Sequence, residues 1–265
     1  MFSVVIPLYN KELSIQNTIH SVLNQTIQDF EIVIVNDGST DNSVEKVVEI
    51  IDARIRIINK PNEGVSSARN MGVEEAKYEW IAFLDGDDLW QVNHLEEIVK
   101  MMKLFPNEQI YCTSFVCDNQ VSKSKSLKDD IIVLNTKEYF KLAYFGAVIW
   151  TSILVVNKRL FSENNGFNEN LSRGEDLELW SRLANKTNVV KNSKVTAVYR
   201  LEAENRSFSN KLNFNKSYIS IISLNTNTKE ERKYNKMLLK AAIKKNIKSK
   251  DLFLALKLIL KYFFK

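Results

Sequence analysis

The chain has 265 residues, of which 45% are apolar and 26% charged, and it carries a net charge of +5. This composition is typical of a globular protein and excludes a mainly disordered chain, and the length fits one large domain or two small ones. Lysines accumulate after Lys229. A basic end of this kind predicts an anionic surface as a partner, either a membrane or a nucleic acid.

The sequence has no pattern that would direct the chain out of the cytoplasm. No basic N-terminal segment precedes an apolar stretch, and no uncharged apolar run reaches roughly 18 residues, so neither a signal peptide nor a membrane-spanning helix is expected. The two cysteines, Cys112 and Cys117, fall in a predicted strand, which indicates free thiols in a reducing cytoplasm. His20 and His94 lie far apart in the sequence, which argues against a zinc site.

The first half of the chain alternates strands with helices. Short apolar runs predict strands, and apolar residues at helical spacing predict the helices between them. Ser66 and Ser67 are predicted to cap the third helix. The predicted strands are FSVVIPLYN, FEIVIVNDGST, RIRIINKP and YEWIAFLD, and the predicted helices lie around Ile15–Leu23, in DNSVEKVVEIID, around Ala68–Asn70 and in HLEEIVKMMKLF.

The second half is less regular, but it also contains strands and helices. IYCTSFVCD, IIVLN and KVTAVYRLE read as strands, and TKEYFKLAYFG and RGEDLELWSRLANK read as helices. Repeated strand–helix units with continuously apolar strands predict an α/β fold. Its Rossmann-like sheet is expected to be mainly parallel and covered by helices on both faces, with a helical, basic region after it.

Polar residues follow several of the predicted strands at the point where each strand ends. The first strand is predicted to end at Pro7, so Tyr9, Asn10 and Glu12 follow it, while Asp37 ends the second strand and Asp85 ends the fourth. In open α/β sheets ligands bind at the edge formed by the carboxyl ends of the strands. Convergence of these side chains at one edge therefore predicts a binding site.

Three carboxylates follow the fourth strand in the stretch FLDGDDLW: Asp85, Asp87 and Asp88. Taken alone, the stretch is equally well explained as a solvated turn. A divalent cation would neutralise the repelling charges, and hard oxygen ligands favour Mg²⁺ or Mn²⁺ completed by a diphosphate. Gly86 lets the backbone turn tightly and approach a ligand.

Five motifs occur in an order and spacing that carry a family resemblance: VVIPLYN, IVNDGSTD, NEGVSSARNMG, FLDGDDLW and GFNENLSRGEDLELWSRL. Together they resemble the inverting family 2 glycosyltransferases of GT-A fold, of the type that builds bacterial surface polysaccharide. The resemblance extends from Phe2 to about Phe208. It implies a glycosyltransferase domain over 1–209, with a nucleotide-sugar half at 1–105 and an acceptor half at 106–209. The motifs do not cover the region at 210–265, which the lysine-rich pattern itself predicts to be helical.

The resemblance also implies roles for individual residues. Asp37 would accept from the nucleobase, usually uracil, while Tyr9 packs on its ring. Arg69 would lie near the donor phosphates and sugar, and Asp87 would bind Mn²⁺ or Mg²⁺. The full set of implied donor contacts is Pro7, Tyr9, Glu12, Asp37, Arg69, Asp85, Gly86 and Asp88.

The pair Glu175-Asp176 matches the family's later acidic motif. The resemblance makes Asp176 the general base that removes the acceptor hydroxyl proton, in a single in-line displacement from a UDP-sugar with inversion. A different reading treats both residues as acids favoured by the dipole at a helix N-terminus. Arg69 likewise has a structural reading, as a partner of Glu74 or Glu75 on its own helix.

Two positions depart from the family pattern. The usual Asp-Asp-Gly-Ser is here Asn36-Asp37-Gly38-Ser39, and no histidine follows His94 to meet the metal. Arg206 and Ser209 are candidates for a late contact to the diphosphate. Trp90, Trp150 and Trp180 fit a core more readily than an acceptor platform, and Trp150 is the one weighed for acceptor stacking.

The last segment, KKNIKSKDLFLALKLILKYFFK, is a separate question. As a helix it has a wide apolar face flanked by lysines, which is typical of a helix lying on anionic lipid. The alternative is a helix docked on the protein's own core. A membrane surface fits a polyprenyl-diphosphate-linked saccharide acceptor and a peripheral place on the inner face of the cytoplasmic membrane. Nucleic acid is disfavoured, since no aromatic platform is interleaved with the basic residues.

Three functions stay open from the sequence. The first is sugar transfer in the assembly of a surface polysaccharide such as O-antigen, capsule or exopolysaccharide. The second is a degenerate module that binds a nucleotide without transfer. The third is a D-x-D phosphatase, which is disfavoured because its nucleophile normally ends the first strand, whereas the acids here end the fourth.

Overall fold

The computed structural model describes residues 1–118, 130–204 and 213–263. The strands are β1 (Phe2–Leu8), β2 (Phe30–Asp37), β3 (Ile55–Lys60), β4 (Trp80–Phe83), β5 (Leu89–Trp90), β6 (Ile110–Cys117), β7 (Ile131–Leu134), β8 (Leu154–Asn157) and β9 (Val189–Tyr199). The helices are α1 (Ile15–Leu23), α2 (Ser43–Val48), α3 (Val65–Glu74), α4 (His94–Leu104), α5 (Thr136–Ala143), α6 (Lys158–Glu163), α7 (Glu175–Ala184), α8 (Tyr218–Ile221), α9 (Lys229–Lys248) and α10 (Leu252–Phe263).

The nine described strands join one sheet in the order β3-β2-β1-β4-β8-β6-β9-β5, and β7 also pairs with β9. β1 is parallel to β2 and β4, β2 is parallel to β3, and β6 is parallel to β9. β8 is antiparallel to both β4 and β6, and β5 and β7 are antiparallel to β9. Six of these strands therefore run in one direction, which confirms the predicted α/β class with a mainly parallel sheet.

The apolar run of β2 explains why helices cover both faces of the sheet. All eight residues of β2 are buried. Successive side chains of a strand point to opposite faces, so Ile32 and Ile34 join the main core while Val33 and Val35 pack with Ala68 of α3. Burying each such side chain stabilises the fold by about 1.5–3 kcal/mol.

Two features of the first half differ from the prediction. Gly64 caps α3 with φ of 97°, and Ser66 and Ser67 lie inside the first turn, where neither makes a capping bond. The prediction of a serine cap is therefore wrong, because the helix begins at Val65, one turn earlier than the apolar pattern indicates. The helix predicted over DNSVEKVVEIID is also shorter, since α2 spans Ser43–Val48.

The short strand β8 was not predicted, although it joins the two halves of the sheet. It has four residues and inserts between β4 and β6, pairing Ala82 with Val155 and Tyr111 with Val155. A four-residue apolar run is compatible with a strand or a buried turn of helix. Pairing with β4 on one side and β6 on the other determines that this run is a strand.

The C-terminal helices pack on the rest of the protein. Tyr234 of α9 joins the main core, and Leu239 of α9 and Leu258 of α10 join a second cluster with Leu171 and Tyr218. Along α10, Leu252, Phe253, Leu256 and Leu260 are exposed while Ala255 and Leu258 are buried. The helix therefore docks one side on the protein and leaves an apolar side outward.

None of the helices described is both long and apolar enough to span a membrane. The predicted boundary between the two domains at 209/210 stays a prediction, because residues 205–212 lie outside the described part of the chain.

Candidate active site

A cavity of about 560 Å³ opens where the carboxyl ends of β1, β2 and β4 meet the start of α7. Its volume is in the range of small-molecule sites. Nine of the predicted site residues line it: Pro7, Tyr9, Asp37, Arg69, Asp85, Gly86, Asp87, Glu175 and Asp176. The structure thus brings together residues that are up to 169 positions apart, from Pro7 to Asp176.

Two predicted residues, Glu12 and Asp88, are not on the cavity wall. The Glu12 carboxylate accepts from the Asn42 backbone N–H at 3.0 Å and from its side-chain amide at 2.9 Å. It therefore supports the start of α2, where unpaired backbone N–H groups need acceptors. Arg206 and Ser209, the candidates for a late diphosphate contact, lie outside the described residues.

Asp37 forms the floor of one end of the cavity and is itself buried. Its carboxylate accepts from Lys60 Nζ at 2.8 Å and from the backbone N–H groups of Glu63 and Gly64 at 3.0 and 2.8 Å. These bonds hold the loop that leads into α3. A carboxylate has about four acceptor positions, so a further donor can still be accepted. Tyr9, 37% exposed, lines the same cavity.

Asn36, the departure from the family's usual acid, does not line the cavity. Its amide donates to Asn59 Oδ1 at 2.9 Å and accepts from the Ser39 backbone N–H at 2.9 Å. A carboxylate could not donate to Asn59. The amide at this position is therefore explained by pairing between β2 and β3 and by the turn after β2.

Arg69 links the two acidic regions across the cavity. Its NH2 group donates to Asp85 Oδ1 at 2.6 Å, and NH1 lies 3.6 Å from Glu175 Oε1. The guanidinium is 4% exposed, and its Nε and NH1 atoms have no hydrogen-bond partner among the described residues. Donors buried in this way are costly to leave unpaired, which favours an anionic or hydroxyl-rich ligand beside them.

Asp87 faces the cavity and pairs with Lys11. Lys11 Nζ lies 2.7 Å from Asp87 Oδ2, and these side chains are 12% and 16% exposed. Burial raises the pKa of Asp87, and the charge of Asp85 adds to the effect, while Lys11 opposes it. The turn therefore places the Asp85 and Asp87 carboxylates close together in a sparsely solvated place, with Lys11 as the counter-charge of Asp87.

The residues present fit a divalent cation at this turn. Asp85 and Asp87 offer hard carboxylate oxygens on the cavity wall, and a cation would relieve the repulsion between them. Within 1–118, 130–204 and 213–263, no group of three or more His, Cys, Asp or Glu side chains forms a metal cage. Mg²⁺-type ions commonly take one or two carboxylates and complete their shell with substrate phosphates and water.

Asp88 points away from the cavity, into the protein. It is 1% exposed, Ser152 Oγ donates to its Oδ2 at 2.5 Å, and the Arg200 backbone N–H donates to its Oδ1 at 3.3 Å. Burial raises the pKa of Asp88 to about 8, with the charge of Asp85 adding to it. Its place in the structure is that of an anchor, which ties the acidic turn to the segment after β9.

Gly86 allows a close approach of two strand ends. A Cβ at this position would lie 3.1 Å from the Pro7 carbonyl oxygen and 3.6 Å from Lys11 Cγ. The absence of a side chain therefore lets the acidic turn lie directly against the end of β1. The sequence predicts a close approach here, and the structure shows that the protein's own backbone is one partner of it.

Glu175 and Asp176 open α7 at the other end of the cavity. Gly174, with φ of 73°, precedes them as the cap residue and turns the chain into the helix. Burial raises the pKa of Asp176 to about 6, and the charge of Glu175 adds to this, while a backbone bond from Leu177 and the charge of Arg69 lower it. A carboxylate with a pKa near neutral suits a general base.

Several residues on the cavity wall were missed by the sequence reasoning. Lys11, Tyr199, Arg173 and Lys216 all line it. Trp150, which the sequence already offers as a candidate for acceptor stacking, lines it too, and its ring packs on Tyr199 with centroids 4.7 Å apart. Lys11 could have been found from its place directly after the first motif, two residues after Tyr9. Arg173 lies inside the last of the five motifs, whereas Tyr199 and Lys216 lie in segments that carry none of them.

The fold has known structural counterparts. The crystal structure of S. aureus TarS 1-349 in complex with UDP-GlcNAc matches with a TM-score of 0.67 and 19% identity, covering 88% of this chain and 69% of that chain. At this level of identity the likeness defines the fold alone. The architecture is GT-A, as the resemblance in the sequence implies.

The sequence defines the family. The model of glycosyl transferase family 2 matches residues 3–164, more than half of the 265 residues, and the chain belongs to this family. An uncharacterised glycosyltransferase of Rickettsia bellii (strain RML369-C) is 32% identical over 228 residues, covering 83% of this chain. An Escherichia coli protein named UDP-Glc:alpha-D-GlcNAc-diphosphoundecaprenol beta-1,3-glucosyltransferase WfgD is 35% identical over 141 residues, covering 49% of this chain and 56% of its own length. This chain spans about a third of the Rickettsia relatives it matches, at 32–36% of their length.

Proposed function

We propose that this chain transfers a sugar from a UDP-sugar to a saccharide acceptor, with inversion, in the synthesis of a surface polysaccharide. The observation that supports this most is the single cavity that carries Asp37, Asp85 and Asp87 at one side and Glu175 and Asp176 at the other. An in-line displacement needs a held leaving group and a base on opposite sides of the reacting carbon.

On the donor side, the proposal assigns a role to each wall residue. Asp37 accepts from the base while Tyr9 and Pro7 pack against the nucleoside. Arg69 directs its unpartnered N–H groups at the phosphates or the donor sugar, and Asp85 holds Arg69 and the sugar. A divalent cation held by Asp87 would stabilise negative charge on the leaving diphosphate.

On the acceptor side, the proposal makes Asp176 the general base. An acceptor hydroxyl oxygen attacks the anomeric carbon, its proton passes to an Asp176 carboxylate oxygen, and the bond from the anomeric carbon to the phosphate oxygen breaks to release UDP. Glu175 supports the base through its charge, which favours the protonated form of Asp176. The Trp150 and Tyr199 rings on the wall offer an apolar face for an acceptor sugar.

The proposal extends to a lipid-linked acceptor at an anionic membrane surface. The E. coli relative is named for a diphosphoundecaprenol-linked acceptor. In this chain, the exposed row of Leu252, Phe253, Leu256 and Leu260 lies on a helix that also carries Lys257 and Lys261. An exposed apolar face beside lysines favours binding to anionic lipid.

The donor part is tested by calorimetric titration of UDP, GDP and dTDP into the purified protein, with and without Mn²⁺. UDP is expected to bind, to bind more tightly with Mn²⁺, and to lose that gain in Asp87→Ala. Absence of binding by every nucleotide, with the protein shown to be folded, would overturn the proposal.

The membrane part is tested by flotation with vesicles containing phosphatidylglycerol. The double variant Phe253→Ser and Leu256→Ser should lose binding to the vesicles, while Leu104→Ser, at an exposed leucine on α4, should keep it. Equal flotation of all three proteins would exclude α10 as the membrane-binding surface.

A further inference from the structure

Lys11 occupies a position that the donor and metal assignments leave unexplained. Its ammonium contacts Asp87 Oδ2 at 2.7 Å and donates to the Glu204 carbonyl oxygen at 2.5 Å. The side chain is 12% exposed and lines the cavity. A lysine placed so deeply beside a carboxylate that is assigned to a metal is itself a cation at the metal's position.

The surroundings explain why a cation is held there. The Lys11 and Asp87 side chains are only 12% and 16% exposed, and Asp85 lies two residues before Asp87 on the same turn. The carboxylate of Glu204 is used elsewhere, accepting from the Leu13 backbone N–H at 3.1 Å and from Ser14 Oγ at 2.6 Å. The ammonium therefore neutralises a carboxylate that would otherwise be buried without a counter-charge.

The Lys11 ammonium also has a second position within its reach, over the cavity that Lys11 lines. The Lys11 stem lies against Gly86, where a Cβ would come within 3.6 Å of Lys11 Cγ. Because a lysine side chain is long and flexible, rotation about its outer bonds would carry the ammonium over the cavity while the stem stays on the turn. Two cations on one carboxylate oxygen repel each other, so a metal ion bound at Asp87 would favour this rotation.

We propose that Lys11 is the resident counter-ion of Asp87, which a divalent cation displaces, and that the displaced ammonium then binds the donor diphosphate. The inference rests on the proposed donor site. It makes Lys11 a positioning residue that sets how tightly the empty site takes a metal. It also makes Lys11 a diphosphate ligand when no metal is present.

The test compares Lys11→Met with Lys11→Arg by titrating Mn²⁺ alone into the full chain at about pH 7.5, where carboxylates outside buried sites are ionised. Lys11→Met removes the competing charge and should bind Mn²⁺ about fivefold more tightly than the unaltered protein, the size expected for loss of one modest ion pair. Lys11→Arg keeps the charge and should stay close to the unaltered protein. Lys46→Met, at an exposed lysine paired with Glu49, is the matched control and should change nothing.

A second titration uses UDP in the presence of a chelator. Lys11→Met should weaken this metal-free binding by about fivefold, while UDP with saturating Mn²⁺ binds nearly as before. Thermal unfolding of each variant identifies any that does not fold, in which case Lys11→Gln replaces Lys11→Met.

The outcomes separate this inference from the proposed function. If Mn²⁺ binds Lys11→Met no more tightly than the unaltered protein, or if Lys11→Arg gains as much as Lys11→Met, the counter-ion role is overturned. Either result leaves UDP binding by the unaltered protein as a separate finding. If the unaltered protein binds no UDP even with Mn²⁺, the proposed donor site is overturned instead, and the titration of Mn²⁺ alone still decides whether Lys11 competes for Asp87.

Discussion

The acidic turn after β4 and the acidic start of α7 contain the same kinds of side chain and differ in how these are compensated. In the turn, each carboxylate has a protein partner: Asp85 has Arg69, Asp87 has Lys11, and Asp88 has Ser152 and a backbone N–H. At the start of α7, Asp176 accepts one backbone bond from Leu177 at 2.7 Å.

This difference teaches how one residue type can supply several functions. Burial and a neighbouring carboxylate raise the pKa of both Asp87 and Asp176. Asp87 has the Lys11 ammonium 2.7 Å away as a direct counter-charge, which holds this carboxylate in place and suits a site for a cation. The pKa of Asp176 is raised to about 6, against the opposing effects of a backbone bond from Leu177 and the charge of Arg69.

The largest effect is expected from removing the proposed base, Asp176. Asp176→Asn should lower kcat by about 10²–10⁴-fold, the usual contribution of a general base, while UDP binds as before. Glu178→Gln is the control in the same helix, because Glu178 pairs with Arg182 at 2.6 Å and is outside the cavity lining. It should lose stability but keep turnover. Turnover by Asp176→Asn close to that of the unaltered protein would leave a nucleotide-binding role without a base at this position.

The second largest effect is expected at Asp87, in the acidic turn after β4. Asp87→Asn should lower turnover by about 10²-fold, as expected when a charge that stabilises a leaving group is lost. In contrast to Asp176→Asn, it should also abolish the gain in UDP affinity from Mn²⁺. Asp41→Asn, which changes an acid after β2 that does not line the cavity, should leave both quantities unchanged. A variant of Asp87 that still responds to Mn²⁺ would contradict a metal at this carboxylate.

The pH dependence sharpens the comparison further. The Asp176 pKa of about 6 means that this carboxylate, the proposed base, gains a proton as the pH falls through 6. The rate kcat/KM should therefore be level above about pH 7 and decline about tenfold per unit below about pH 6. A profile measured from about pH 4.5 to about pH 8.5 tests this, with unfolding followed in parallel. A level rate down to about pH 4.5 would mean that Asp176 is not the titrating base.

The smallest effect concerns Asp88, whose folded pKa of about 8 exceeds the ordinary value of 3.8. Folding keeps this carboxyl protonated, so its contribution to the free energy of unfolding is complete below the unfolded pKa and is lost as the pH rises through 8. Asp88→Asn cannot ionise and can still bond Arg200 and Ser152. The difference in Tm between Asp88→Asn and the unaltered protein should therefore grow in favour of the variant, by a few degrees from about pH 5 to about pH 9. Melting curves that stay parallel over this range would contradict the neutral buried carboxyl.

Much of the site could be predicted because the strand ends carry it. Asp37 and Asp85 directly end apolar runs, and the carboxyl ends of parallel strands share one edge, so their convergence follows from the pattern. Glu175 and Asp176 were identified through the family motif, since nothing in their spacing shows that α7 begins at this edge. Lys11 was not identified as a partner of Asp87, because the pairing joins residues 76 positions apart.

The placement of α10 could likewise be predicted only in part from the sequence. Its amphipathic pattern was visible, and both readings of it, docked and exposed, were compatible with the residues. The structure shows that Ala255 and Leu258 face the protein while Leu252 and Leu256 face outward. Only packing against α8 and α9 decides which apolar residues are left free, since a wide apolar face exceeds what one neighbour covers.

By itself, the sequence determined the α/β class, the order of most elements, the family and the residues at the sheet edge. These depend on periodicity, strand ends and local motifs, which neighbouring residues control. The tertiary structure alone decided that β8 joins the halves of the sheet, that Asp88 turns inward while Asp87 faces the cavity, and that Lys11 compensates Asp87. Each of these depends on contacts between distant segments, because burial and charge pairing are properties of the folded surroundings and not of the residue type.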